Sequence, residues 1–196
     1  MMKRPSRLIE ICLLTSINST SRHEGSCPEM KDTHFFGRKI LAELLPRHPR
    51  HNLVLTLLTV GEDGYPNVCL LSPFQVLARA NHTIFFAVYS GSKTQTNLSE
   101  RGKATFVIFL PPAAYYIRGK VEPIASFERI ARLKGNTLYR FEVTNASRDY
   151  YRKAPIMSTV TFDKRHVRRD YERVYQGLLE LASKLPSAST LASRAA

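Results

Sequence analysis

From position 53 to about 124, apolar residues come in short runs broken by turn-forming residues. "LVLTLLTV" (53–60) is apolar and β-branched, the composition of a buried strand. "GEDGYP" (61–66) follows, with an Asp-Gly pair and a proline that mark a turn. "NVCLLSPFQVLA" (67–78) reads as a second strand bent near Pro73, and "RANH" (79–82) as another turn. "TIFFAVY" (83–89) predicts a third strand, and "NLSERG" (97–102) one short helical turn. "KATFVIF" (103–109) predicts a fourth strand. "PPAAYYIRGKVEPI" (111–124) predicts a fifth after a proline-marked corner.

The flanks follow other periods. Residues 33–45 place Phe36, Ile40, Leu41, Leu44 and Leu45 at helical spacing, ended by Pro46. "SFERIARLKG" (126–135) reads as a helix closed by Gly135. "TLYRFEVTNAS" (137–147) alternates like a half-buried strand, and "IMSTVTF" (156–162) reads as one more strand. "RRDYERVYQGLLELASKL" (168–185) puts Tyr171, Val174, Tyr175, Leu178, Leu179 and Leu181 on one helical face. Strands in quick succession, without helical crossovers between them, predict a mainly β chain. An antiparallel sheet or barrel with flanking helices fits; a doubly wound parallel fold does not. Residues 1–29 are expected to be a disordered extension, 30–185 the folded domain, and 186–196 a mobile small-residue tail.

Composition narrows the setting. A chain of 196 residues with 43% hydrophobic content can bury a core without staples. No apolar run approaches the roughly 20 residues of a spanning helix, so no membrane association is expected. Glu10 interrupts the apolar patch of "MMKRPSRLIEICLLTSINSTS", leaving a signal peptide as the less favoured reading. The cysteines at 12, 27 and 69 form no CxxC or Cys/His pattern, so no metal site is expected. Their odd number points to a reducing, cytoplasmic setting. A net charge of +13 favours anionic partners: nucleic acid, an acidic surface or a phosphorylated molecule.

The candidate chemistry sits between the third and fourth strands, in "YSGSKTQTNLSERG" (89–102). Ser90, Ser92, Thr94 and Thr96 offer hydroxyls, Lys93 a charge, and Gly91 exposed backbone amides. A helix opening near Thr96 would add amide donors for a phosphate. Solvated turns contain the same residues, and composition alone favours that plainer reading. Neither a Walker loop nor a dinucleotide fingerprint is present.

The order "TLLTVGEDGYPNVCLLSP…TIFFAVYSGSKTQTNLSERGKATFVIF" resembles the FMN-binding split-barrel superfamily, the pyridoxamine 5'-phosphate oxidase-like group. The match includes a strand, a "dG.P" turn, a second strand, and a Ser-(Arg/Lys)-x-x-x-(Asn/Gln)-Leu segment, here Ser92 to Leu98. The resemblance implies a six-stranded antiparallel split β-barrel of Greek-key type and a homodimer with FMN at its seam. The function it implies is that of an FMN-dependent oxidoreductase of unassigned substrate. Lys93 and Thr94 fall on the phosphate-gripping positions, with Ser90, Ser92 and Asn97 beside them. Asn67, Val68, Cys69, Leu70, Leu71 and Ser72 fall on the strand that lines the flavin. Tyr116, with Tyr115, would approach the ring, and Arg118 would either face inward toward an anion or pair outward with Glu122.

Four departures stand out. The oxidase carries an arginine where Asn67 stands, a lysine where Ser72 stands, and a second basic residue where Thr94 stands. It also closes its substrate site with a tryptophan, which this chain lacks entirely. Oxidation of pyridoxamine 5'-phosphate itself is therefore not expected. Two other readings remain open. One is a non-catalytic carrier or sensor of flavin, deazaflavin or haem. The other is a nucleic-acid-binding module built on residues 162–176, where Arg165, Arg168, Arg169 and Arg173 alternate with Tyr171 and Tyr175. The acids in that run and its apolar face favour docking on the barrel, and nucleic acid is not the expected partner.

Overall fold

Among the described residues, seven strands, numbered in chain order, form a single antiparallel sheet in the order β2-β1-β5-β6-β7-β4-β3. They are β1 (Leu55–Val60), β2 (Pro66–Leu71), β3 (Val76–Ala80), β4 (Thr83–Tyr89), β5 (Lys103–Leu110), β6 (Ala113–Pro123) and β7 (Asn136–Asp149). Helix α1 (Lys93–Arg101) links β4 to β5, and α2 (Arg168–Lys184) follows β7. The computed structural model describes residues 52–80, 82–125, 130–163, 165 and 168–185. The expected extension, the helix at 33–45 and the tail lie outside them.

Local chemistry accounts for each element. In β1, Leu55, Leu57 and Thr59 point inward and alternate with more exposed neighbours. The turn to β2 uses Gly64 at φ +79, while Asp63 Oδ1 accepts from the Tyr65 N–H at 3.1 Å. Helix α1 is capped by Ser92, whose Oγ accepts from the Gln95 N–H at 3.2 Å. It ends at Gly102 in the left-handed region, φ +58. The predicted short turn at 97–102 is therefore the second half of a nine-residue helix.

The bent second strand proves to be two strands on opposite edges of the sheet. Pro73 has no N–H to give to a ladder, and it opens a 3-10 turn over Pro73–Gln75. The Gln75 side chain accepts from both the N–H and the hydroxyl of Ser72, at 3.0 and 3.1 Å. This division is why the sheet has seven strands rather than six. The segment at 156–162 is extended but makes only an isolated bridge, Thr161 with Leu53, and is not a ladder strand. In place of the helix expected at 126–135, the described part shows a 3-10 turn, Ala131–Leu133.

Two cores hold the fold. Inside the curl of the sheet, Leu55, Leu57, Phe86, Phe106, Ile117, Tyr139 and Phe141 are buried together. Phe106 meets Phe86 edge-on at 5.6 Å and Phe141 at 5.1 Å between centroids. On the other face, α2 lays Val174, Tyr175, Leu178 and Leu181 against Phe74, Leu77, Phe85 and Leu138. Tyr171 stacks on Phe74 at 5.8 Å, so the tyrosines of α2 serve packing rather than alternating with cations on an open face. At the register shift between Arg118 and Gly119, a Cβ on Gly119 would stand 2.4 Å from the Phe141 ring. Only glycine lets the two strands approach there.

Candidate functional site

The site is built where α1 crosses the mouth of the curled sheet. Inward alternation in β1 and β2 brings Thr59 opposite Asn67 and Leu57 opposite Cys69. Helical spacing points Thr94, Asn97 and Leu98 down onto them, and all three are buried. A chain of side-chain hydrogen bonds results. Asn67 Nδ2 donates to Thr94 Oγ1 at 3.1 Å and to Thr59 Oγ1 at 3.3 Å. Asn97 Nδ2 donates to the same Thr59 oxygen at 3.1 Å. Asn97 Oδ1 is buried and has no partner among the described residues.

Cys69 joins this chain through Thr94. Its half-buried thiol is pushed up from its ordinary value by burial, and the Thr94 hydrogen bond opposes that only in part. A raised folded-state value means stability is fully present below the unfolded thiol pKa and is lost as pH rises through the folded one. In a background with serine at positions 12 and 27, Cys69 should react with a disulfide reagent at mildly alkaline pH more slowly than an unfolded cysteine does. Stopped-flow absorbance checks this; a rate equal to the unfolded control would contradict the burial.

The outer end of α1 has different chemistry. The first-turn N–H groups of a helix have no intrahelical acceptor. Ser92 Oγ takes that of Gln95, while Gly91 N–H donates to Gln95 Oε1 at 3.3 Å. The N–H groups of Lys93 and Thr94 have no acceptor among the described residues. The Lys93 side chain is exposed beside them. Ser90 is exposed, and its hydroxyl meets Thr137 Oγ1 at 2.9 Å. Two amides without an acceptor and one exposed lysine thus share the first turn of a single helix, the donor set that suits a phosphate.

Beside this lies β2, which pairs with β1 on one side only. Its outward side chains Val68 and Leu70 are 60% and 54% exposed, an apolar strip along an open strand edge.

The expected site residues therefore separate into groups. Asn67, Cys69, Thr94 and Asn97 come together beneath α1, while Ser92, Lys93 and Ser90 lie at its outer end. Val68 and Leu70 flank the open edge. Leu71 and Ser72 are each 1% exposed, Leu71 in the inner core and Ser72 bound to Gln75, so neither faces that edge. Thr94 spends its hydroxyl inside the chain rather than outward. Tyr115 is buried; Tyr116 is partly exposed, and its hydroxyl donates to Asp149 at 3.4 Å. Arg118 takes the outward of its two expected orientations, exposed on the outer sheet face, but without the expected partner: Glu122 pairs with Arg140 at 3.5 Å.

Sequence reasoning missed Thr59, the acceptor that joins both asparagines, and Tyr139, whose hydroxyl donates to the Gln95 carbonyl at 3.2 Å. Inward position in β1 was the available signal for Thr59. Among the described residues no cluster of His, Cys, Asp and Glu could hold a metal, and no helix is long and apolar enough to cross a membrane.

Comparison with known proteins adds the lineage. A Bacillus subtilis (strain 168) protein, the uncharacterized YclD, is 32% identical over 78 residues, or 37% of this chain and 51% of YclD. The chain thus matches about half the length of that relative. A conserved hypothetical protein of Mycobacterium tuberculosis, Rv2991, overlaps at a TM-score of 0.47 and 14% identity, covering 63% of this chain and 91% of that one. HupZ of Group A Streptococcus overlaps at 0.45 and 15%, covering 64% and 98%. An F420 reductase overlaps at 0.42 and 16%, covering 50% and 90%. At these scores the structural likenesses carry no assignment. The family model for pyridoxamine 5'-phosphate oxidase matches residues 41–162, more than half of the chain. On that match and the curled antiparallel sheet, the chain belongs to the pyridoxamine 5'-phosphate oxidase-like family of split-barrel proteins.

Proposed function

We propose that this protein binds FMN and works as a flavin-dependent oxidoreductase. The observation that carries the reading is the convergence of the α1 N-terminus and Lys93 with the open edge of β2. Flavin is typical of the family, which includes flavin-dependent oxidoreductases. In this reading the phosphate takes the free N–H groups of Lys93 and Thr94 and the Lys93 ammonium. The ring lies along β2, where Val68 and Leu70 give it apolar flanks and the unpaired strand edge gives it hydrogen-bonding groups. The Asn67–Thr94 hydrogen bond holds helix and strand at a fixed spacing, so phosphate and ring grips are set together. Bound flavin would supply two-electron transfer; the chain's own work is to bind, orient and keep water from the ring.

A homodimer completes the proposal. Val60, Tyr65, Val68 and Leu70 are 45%, 74%, 60% and 54% exposed on one hairpin, an apolar patch of the kind that marks an interaction surface. A second copy covering this hairpin would also close the flavin site. No occupant of the substrate position is assigned.

Titration of the purified chain with FMN tests the reading. Saturable quenching of flavin fluorescence, with FMN bound more tightly than riboflavin, is the expected result. Quenching that is absent, or equal for the two flavins, would refute the phosphate grip.

A further inference from the structure

Away from the site, the outer face of β5 and β6 carries an arrangement that the flavin reading does not use. Lys103 of β5 stands directly opposite Lys120 of β6, and Thr105 opposite Arg118. Directly opposed residues have Cβ atoms about 5 Å apart, and like charges in that position destabilise a sheet. Arg118 and Lys120 lie two residues apart on one strand, so they share a face and stand about 7 Å apart. All three cations are exposed.

No carboxylate among the described residues forms an ion pair with any of them. The acid opposite Lys120 is Glu142, and it is already engaged. Arg140 Nε reaches it at 3.0 Å, and the Thr83 hydroxyl donates to it at 3.3 Å. Glu122, next along the β6 face, is also held by Arg140. Asn145, opposite Arg118, adds a neutral polar group rather than a countercharge. The apolar strip of Leu58 and Val68 ends one strand away, at Thr105.

We propose that Lys103, Arg118 and Lys120, with Thr105 beside them, form a second anion site. Its ligand is a soluble small molecule carrying a diphosphate or a similarly compact multiple negative charge. Three cations on adjacent sheet positions match the spread of charge on two linked phosphoryl groups, and the arginine offers a bidentate fork to one of them. The ligand would supply the negative charge that the opposed lysines lack. A single exposed ion pair contributes little, so the site depends on the three acting together on a multivalent anion.

The test uses the full chain carrying Lys93→Ala, so that binding at the α1 N-terminus does not contribute. Inorganic pyrophosphate is titrated by calorimetry at low ionic strength, and thermal unfolding is followed with and without it. One saturable site and a rise in Tm are expected. Adding Lys120→Gln or Arg118→Gln should weaken binding about three- to tenfold each. Lys120→Glu, which would face Lys103 on one side and Glu142 on the other, should remove the response to pyrophosphate. No saturable binding, or binding unchanged by all three substitutions, would overturn the site. So would a labelled single-stranded oligonucleotide that binds through these residues when pyrophosphate does not, since the surface would then serve a polymer. The result stands apart from the flavin titration, because neither assay contains the other's ligand.

Discussion

Replacing Phe106 with alanine should cost about 3–5 kcal/mol of unfolding free energy, the largest effect expected of any substitution considered for this chain. Phe106 has no exposed surface and sits in β5, the third of seven strands in the sheet order. Its ring meets Phe86 of β4 and Phe141 of β7, strands paired to each other on the far side of the curl. Truncation would remove the contact that joins the two halves of the sheet across the interior, and the neighbours are strand residues that cannot collapse into the space. Urea unfolding followed by far-ultraviolet circular dichroism measures the change. Phe106→Leu, which keeps most of the volume, should cost markedly less. A loss below about 1 kcal/mol for the alanine variant would mean that the two halves are held together some other way.

Lys93→Ala should weaken FMN binding by about 10- to 100-fold, the value of one charge-assisted hydrogen bond to a phosphate. Lys93 is exposed at the first turn of α1, and its side chain takes no part in the buried hydrogen-bond chain, so the fold should be unaffected. Riboflavin provides the control. It has the ring and the ribityl chain but no phosphate, so its weaker binding should be the same in parent and variant. The four affinities form a cycle that isolates the lysine–phosphate term. If the variant loses riboflavin affinity as much as FMN affinity, Lys93 is not a phosphate contact. The helix amides would retain part of the affinity for FMN, because their dipole does not depend on the side chain.

Much of the architecture was legible from local pattern. The apolar runs in β1, β4, β5 and β6 fell at the expected positions because strand burial writes itself into short, β-branched segments. The apolar stripe of α2 was equally plain, and it does dock on the sheet. The segment around Pro73 was harder. A proline after a strand is compatible with a bend or with a break, and the choice rests on whether Gln75 turns back to cap Ser72, a contact made only in the folded chain. The segment at 156–162 has strand composition but lacks a neighbouring ladder. Its exposed Met157 and Val160 show that composition without a partner does not make a strand.

The site was legible to the same extent. The run of hydroxyls and Lys93 marked the segment where the structure places the N-terminus of α1, because turns and helix starts have a recognisable composition. It did not show which hydroxyls are free. Thr94 turns inward to Asn67, and Ser72 is consumed by Gln75, whereas the groups left for an anion are backbone N–H. Thr59 was legible as an inward residue of β1 but not as a hub, since the two asparagines that reach it come from β2 and α1. Arg118 follows the period of its own strand, in which Ile117 and Val121 are buried and Arg118 and Lys120 exposed, so its face was legible while its lack of an acidic partner was not.

What the sequence by itself determined is local: where strands and helices begin, which residues are apolar enough to be inside, and that one loop is chemically unlike the rest. These follow from short-range sterics and from the period of burial, which neighbouring residues carry between them. What only the tertiary structure decided is pairing: β2 and β3 on opposite edges, Asn67 beneath Thr94, and Lys103 facing Lys120. Those depend on how distant segments are brought into register by a shared core, and no residue taken with its sequence neighbours holds that information.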